Sequence, residues 1–343
     1  MSNNRKFNCC SGGGDIIHSN VFDSIISVEN LLKAWREFKK GKNKKKDVLE
    51  FDFYLEENIF LLHKELKDKT YKNQPYIPFY VYDPKRRHIH KACVRDRVVH
   101  QAVYRILYYI YDKSFIHDSY SCRLEKGTHQ GVRKLEEFAR KESKNYSKNI
   151  WALKCDISKF FDSIDHNLLK SILFKKDLGD NTKWLIEQII KSFEKSPNKG
   201  LPLGNVTSQL FANIYLNEFD QFVKHKLKIK YYLRYCDDFV IVAKDKEYPE
   251  FTLPSVADFL KSKLDLSLHP RKVEIRKLSQ GIDFLGYVVL PHYKILRTST
   301  KKRIFRKIKG DISKETKQSY LGVLSHCKGY KIAKILNMRL KNE

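Results

Sequence analysis

The chain has 343 residues, with 67 Lys and Arg against 40 Asp and Glu, a formal charge of +27. Hydrophobic residues make up 42% and aromatics 13%, too much for a disordered chain and enough for a core spread over two or three subdomains. The cation surplus favours a polyanionic partner, most simply nucleic acid. The most apolar stretch, Ala102 to Tyr111, is short and carries Arg105, so neither a bilayer-spanning helix nor a membrane partner is expected.

Residues 1–20 are polar and Gly-rich, lack a signal-peptide core, and read as a flexible tail. The seven cysteines are scattered and contain no CxxC pair. That argues against a zinc ribbon or a disulfide framework and suggests a reducing, cytoplasmic setting. Ser27 to Lys40 predicts a helix, with Val28, Leu31, Leu32, Trp35 and Phe38 at helical spacing behind a Ser cap. After a basic loop at Gly41 to Lys46, Phe51 to Leu66 predicts a second amphipathic helix. Pro75, Pro78 and Pro84 force the stretch from Tyr71 onward to be extended. A basic run, Lys85 to Lys91, lies between strand-like pieces, and Asp96 to Tyr111 is helical again.

Ile150 to Ile157 alternates as a strand should, placing Lys154 and Asp156 on one face. A helix follows over Ile164 to Leu173, then a Gly/Pro loop at Asn198 to Asn205, then a helix from Ser208 to about Leu227. Strands at Lys230 to Tyr235 and Phe239 to Ala243 flank a tight Asp237-Asp238 turn. Residues 251–266 read as helix, and Val273 to Ile275 and Phe284 to Leu290 as strands. From Thr300 onward the chain is helical and basic, with thirteen Lys and Arg against three acids.

The chemistry is concentrated in two acidic motifs. Adjacent carboxylates in a hairpin turn, as in Tyr235-Cys236-Asp237-Asp238, repel one another by about 4 kcal/mol at ~4 Å and an effective dielectric near 20. A divalent cation relieves that repulsion. An isolated Asp-Asp turn is unremarkable, because Asp is a common turn residue. A second acid, Asp156, ends its own strand, and if the two strands are neighbours three carboxylates converge. Hard oxygen donors without a His/Cys cluster suit two Mg²⁺ ions, with Mn²⁺ as the substitute, in phosphoryl transfer. The loop Gly200 to Gln209 permits close backbone approach to a nucleotide and opens a helix whose N-terminus favours anions. The basic residues Lys85, Arg86, Arg87, Lys91, Arg95 and Arg97 can clamp phosphates, although alone such a run is an ordinary solvated face.

These motifs appear together with FFDSIDH after Asp156, YCDDFVIVA, LHPRKVEI and GIDFLGY, in one order over roughly residues 75–290. In that order they resemble a reverse transcriptase. GNVTSQLFAN and SYLGVLSHCKGY are similar to the enzymes of diversity-generating retroelements, which are related to group II intron and retron enzymes. The resemblance implies an α+β right-hand polymerase with fingers, an antiparallel palm sheet and a short helical thumb. It implies a tail at 1–20, an N-terminal helical extension at 21–74 and fingers at 75–149. The palm would occupy 150–290, with finger helices inserted at about 165–205, and the basic thumb 291–343. It implies RNA-templated DNA synthesis, here of adenine-mutagenised cDNA from a template repeat.

Asp156, Asp237 and Asp238 match the catalytic metal carboxylates, with the Ile157 carbonyl joining them. Phe161 matches the gate that excludes a 2′-hydroxyl. Arg87, Lys85, Leu203, Gly204 and Lys272 match positions around the incoming dNTP. Phe284, Leu285, Gly286 and Tyr287 match the primer grip. Leu203 departs from the family's frequent Gln and removes a polar constraint on base selection. The implied partners are template RNA, an RNA/DNA primer duplex, dNTPs and a small basic oligomeric accessory protein. No RNase H carboxylate cluster and no endonuclease motif is expected, which disfavours a group II intron protein. A defence-associated or retron-like enzyme shares every catalytic position. A non-catalytic RNA-binding scaffold is the alternative of another class, and the intact acids speak against it.

Overall fold

The structure, a computed structural model, describes residues 21–82, 86–308, 310 and 312–338. The expected tail at 1–20 and Lys85 lie outside the described residues. The chain opens with four helices, α1 (Val21–Ile26), α2 (Val28–Lys39), α3 (Lys46–Phe53) and α4 (Leu55–Lys67). Ser27 caps α2 as its sequence predicts, its side chain accepting from the Asn30 amide. The single helix expected over Phe51 to Leu66 is two helices, broken at Tyr54. Its apolar spacing continues across the break, so periodicity alone could not reveal the turn.

A hairpin of β1 (Ile77–Val81) and β2 (Arg87–Lys91) follows, so part of the basic run is itself a strand. Next come α5 (Val94–Asp112) and α6 (Thr128–Glu142). The latter is absent from the expected elements, because it carries a basic, polar surface and only a narrow apolar stripe, Val132, Leu135, Phe138 and Ala139.

Strand β3 (Trp151–Asp156) leads through α7 (Phe160–Ser163), α8 (His166–Leu173), α9 (Asp180–Lys191) and α10 (Val206–Gln221), and a π-helical turn, Phe222–Lys226, ends the long helix. Strands β4 (Tyr232–Tyr235) and β5 (Asp238–Ala243), helix α11 (Glu247–Leu264) and β6 (Glu274–Lys277) complete a four-stranded antiparallel sheet of order β4-β5-β3-β6. A three-stranded meander, β7 (Ile282–Phe284), β8 (Tyr287–Leu290) and β9 (Tyr293–Leu296), precedes α12 (Thr298–Ile308), α13 (Lys314–Leu324) and α14 (Tyr330–Met338). The strand expected over Phe284 to Leu290 is interrupted: Leu285 (φ +50) and Gly286 (φ +90) make a two-residue hairpin turn.

The sheet has two buried faces, and its period-two alternation assigns them to different cores. Leu153, Cys155, Phe239 and Ile241 face a core shared with α1, α2, α5, α10 and α11. Ala152, Leu233, Val240 and Val242 face a second core built from α6, the meander and the C-terminal helices. The arrangement is α+β, as expected. No helix among the described residues is long and apolar enough to cross a membrane.

Candidate active site

Asp156 ends β3 and lies directly across from Asp238, the first residue of β5, in antiparallel register. That pairing brings the two acidic motifs to one end of the sheet. The Tyr235–Asp238 pair closes a two-residue turn over Cys236 and Asp237. Cys236 takes a left-handed φ of +56°, which a β-carbon disfavours. Two hydrogen bonds hold that turn. The Ile157 amide donates to the Asp237 carbonyl (3.2 Å), and Arg234 Nη1 donates to the Cys236 carbonyl (3.0 Å).

Arg234 and Asp220 are fully buried beneath the turn. Arg234 donates from Nε to Asp220 Oδ1 (2.8 Å) and from Nη2 to Asp220 Oδ2 (2.6 Å). The Tyr232 hydroxyl also donates to Asp220 Oδ1 (2.6 Å). Weaker bonds reach Asn213 Oδ1 and Ser119 Oγ, both 3.3 Å. A bidentate pair of this kind meets the cost of burying two charges only because nearly every donor and acceptor is satisfied. Sequence reasoning passed over it. A charged residue inside the apolar run Tyr231-Tyr232-Leu233-Arg234-Tyr235 is a signal, but its partner on α10 cannot be read from spacing.

Asp237 and Asp238 sit in an environment hostile to negative charge. Burial, reinforced by Asp156, raises the Asp237 carboxyl above its ordinary range. Asp238 is pushed up to about 6, chiefly by burial and further by Asp156 and Asp237, against the attraction of Lys154 and Arg297. Lys154 lies on the same face as Asp156, as the alternation predicts. Lys272 Nζ meets Asp156 Oδ1 at 2.8 Å, and the Asp156 carbonyl accepts from the His269 amide (2.8 Å). Among the described residues no three His, Cys, Asp or Glu side chains close into a ready-made metal cage. Here Lys272 supplies the counter-charge at Asp156. The donor chemistry nonetheless suits a hard divalent cation, because the converging side chains are all-oxygen carboxylates.

The glycine loop is tied to the same region. The Leu201 amide donates to the Phe161 carbonyl (2.8 Å), and the His90 amide donates to the Leu203 carbonyl (3.3 Å). The first bond brings the half-buried Phe161 to the loop, and the second docks β2 on it. Gly204 takes φ +111°, and a β-carbon there would meet Ile89 Cγ2 at 3.2 Å, so β2 could not approach as closely past a larger residue. Arg87 is exposed on β2 opposite Val81 and makes no ion pair among the described residues. Ile157 forms an isolated bridge with Leu268, and its carbonyl accepts no hydrogen bond among the described residues.

The expected primer-grip residues gather elsewhere, between the meander and the C-terminal helices. Phe284 and Tyr287 are buried, and the Tyr287 hydroxyl donates to the Val323 carbonyl (3.0 Å). Only the Leu285–Gly286 tip remains partly open. Gly131 of α6 allows the tip's approach, since a β-carbon there would lie 3.2 Å from Leu285 Cδ1.

The reverse transcriptase (RNA-dependent DNA polymerase) family matches residues 82–289. The chain belongs to that family. Its four-stranded sheet is accordingly the palm of a right-hand polymerase. The group II intron-encoded protein LtrA of Lactococcus lactis subsp. cremoris is 26% identical over 324 aligned positions, covering 74% of this chain and 52% of that protein. Protein YkfC of Escherichia coli (strain K12) is 26% identical over 175 positions, covering 40% of this chain and 46% of that protein. The chain thus spans about half the length of these curated relatives. Among solved structures, telomerase from Candida albicans is similar with a TM-score of 0.48 and 12% identity, over 71% of this chain and 51% of that one.

Proposed function

We propose that this chain copies an RNA template into DNA by two-metal phosphoryl transfer. The observation that carries the reading is the cross-strand register of Asp156 and Asp238, with Asp237 in the adjoining turn. Asp156, Asp237 and Asp238, joined by the Ile157 carbonyl, would hold two Mg²⁺ ions, or Mn²⁺ in their place. Bound there, the ions supply charge neutralisation for the triphosphate and activation of a primer 3′-hydroxyl. Lys272, already beside Asp156, is placed to pair with phosphate oxygens once that carboxylate has other partners. Arg87 and Lys85 take the triphosphate from the β2 side. Phe161 blocks a 2′-hydroxyl, Leu203 and Gly204 shape the floor under the new base pair, and the hairpin at Phe284, Leu285, Gly286 and Tyr287 steadies the primer through its tip.

In this reading the fingers span 75–149, the palm 150–290 and the thumb 291–343, behind an N-terminal extension at 21–74. The glycine-loop wording and the stretch at 319–330 support a diversity-generating retroelement, making error-prone cDNA with a small basic accessory protein. The likeness to LtrA favours a second reading, an enzyme of group II intron type. Paired imperfect repeats differing mainly at adenines beside the gene would decide for the first, and intron RNA boundaries for the second.

The central test is primer extension on an RNA template with dNTPs and Mg²⁺. Asp237→Ala should abolish extension and leave the unfolding transition in place. Continued synthesis by folded Asp237→Ala protein would refute the polymerase reading.

A further inference from the structure

We propose that α4 is a homodimer interface: two copies of this chain pack their α4 helices antiparallel across a two-fold axis that passes between Phe60 and Leu61. The inference stands apart from the polymerase reading and concerns a surface to which no catalytic or nucleotide position belongs. Helices α3 and α4 leave five large apolar side chains open: Leu49 is 51% exposed, Phe53 79%, Tyr54 54%, Phe60 60% and Leu61 52%. Together they present on the order of 500 Å², near the upper end of what a monomer shows in one patch. A standard interface buries about 800 Å² per partner, so the patch can form the centre of one.

Helical spacing gathers these side chains outward. Helix α4 buries Ile59, Leu62 and Leu66, which share one side. Glu57, Phe60, Leu61 and Lys64 are exposed and stand at i, i+3, i+4 and i+7, so they form one stripe on the opposite side. On α3, Val48 and Phe51 face inward, while Leu49 and Phe53, one turn apart, face solvent. Phe53 meets Tyr54 edge-on (4.8 Å) at the break between the two helices.

The α4 stripe is its own complement. Turned end for end about the midpoint between Phe60 and Leu61, it exchanges Glu57 with Lys64 and Phe60 with Leu61. An antiparallel copy therefore sets apolar centre on apolar centre and, on either side of the axis, a carboxylate against an ammonium. The same reversal sets the Tyr54 ring against the partner's Lys67, a cation–π contact. Within one chain Glu57 and Lys64 lie about 10 Å apart along the helix axis, and neither makes an ion pair among the described residues. Exposed charge pairs contribute little affinity, so they fix direction and register while the apolar centre drives association.

The charges around the patch argue against other occupants. Glu50, Glu56 and Glu57 are exposed and make no ion pair among the described residues, in a chain whose formal charge is +27. Those carboxylates repel nucleic acid and anionic lipid. A parallel pairing of two copies would set Glu57 against Glu57 and Lys64 against Lys64, a like-charge penalty at both ends. The antiparallel pairing removes it.

The test is sedimentation equilibrium from about 1 to about 100 µM near 0.1 M salt, on protein freed of nucleic acid, which would otherwise bridge two basic copies. The wild type should pass reversibly from monomer to dimer. Phe60→Ser, at an exposed position, should keep its unfolding midpoint and raise the dimer Kd about tenfold or more, because each copy loses its anchor at the axis. Glu57→Lys should raise Kd about fivefold by setting two ammonium groups together, and Glu57→Lys/Lys64→Glu should bring it back to within about twofold of the wild type. Such recovery requires the two positions to meet across two chains, since they do not meet within one. A wild type that stays monomeric throughout overturns the proposal and leaves the face to a different partner. Dimers indifferent to Phe60→Ser, or a double variant no tighter than Glu57→Lys, overturn it as well.

Discussion

Arg234 is the most informative residue to perturb, because its stability and activity effects separate. It and Asp220 are fully buried, and its guanidinium links that carboxylate to the carbonyl of the left-handed residue just before Asp237. Replacing it with Met strands the Asp220 charge with one good donor, the Tyr232 hydroxyl. Breaking a buried pair from one side costs about 3–5 kcal/mol, a large part of the 5–15 kcal/mol typical of a domain. Arg234→Lys keeps the charge but cannot span both Asp220 oxygens and the Cys236 carbonyl, and should cost about 1.5–3 kcal/mol. In single-nucleotide primer extension, Arg234→Lys should lower kcat about 10–100-fold with little change in KM for dNTP. A displacement of the acids by about 1 Å is sufficient for that. The double variant Arg234→Met/Asp220→Leu removes both charges, so urea unfolding should show most of the lost stability regained. Its kcat should stay low, because the Cys236 carbonyl still lacks its donor. If kcat recovers in step with stability, the pair is only scaffolding and the positioning argument is wrong.

Three other outcomes follow from the site and its surroundings. His100 is held neutral: burial, with Arg97 adding repulsion, takes it from 6.5 down to about 4. Protonation is therefore disfavoured in the folded state. Its contribution is complete above about pH 6.5 and is lost as pH falls towards 4, by about 3 kcal/mol at most. Urea midpoints at pH 7 and 4.5 should differ less in His100→Gln than in wild type, and an unchanged difference would exclude His100 as the source. Phe161→Val should raise ribonucleotide incorporation relative to dNTPs by about 10–100-fold, the range of a steric pocket contact. Unaltered sugar selection in steady-state competition would remove the gate assignment. Leu203→Gln should restore a polar constraint and lower errors opposite template adenine, and equal adenine error rates in sequenced cDNA would dispose of that role.

Local chemistry made much of this molecule legible before any coordinates. Alternation along Ile150 to Ile157 predicted strand β3 and set Lys154 and Asp156 on one face, because side chains along a strand can point only two ways. The Ser27 cap and the apolar spacing behind it placed α2, since both act within one or two turns. Signals failed where the deciding contact is distant in the chain. Helix α6 exists because a narrow stripe meets β4, β5 and the meander, and nothing in its own charged sequence demands that. The turn at Leu285–Gly286 was hidden because a Leu at positive φ is tolerated only where packing on Gly131 rewards it. The acids themselves were visible as motifs, but their meeting was not. Asp156 and Asp238 are 82 positions apart, and only strand order and register bring them face to face. The Arg234–Asp220 pair beneath them likewise belongs to the tertiary structure. Burial and unmet hydrogen-bonding capacity are properties of a packed environment, and no stretch of sequence carries them alone.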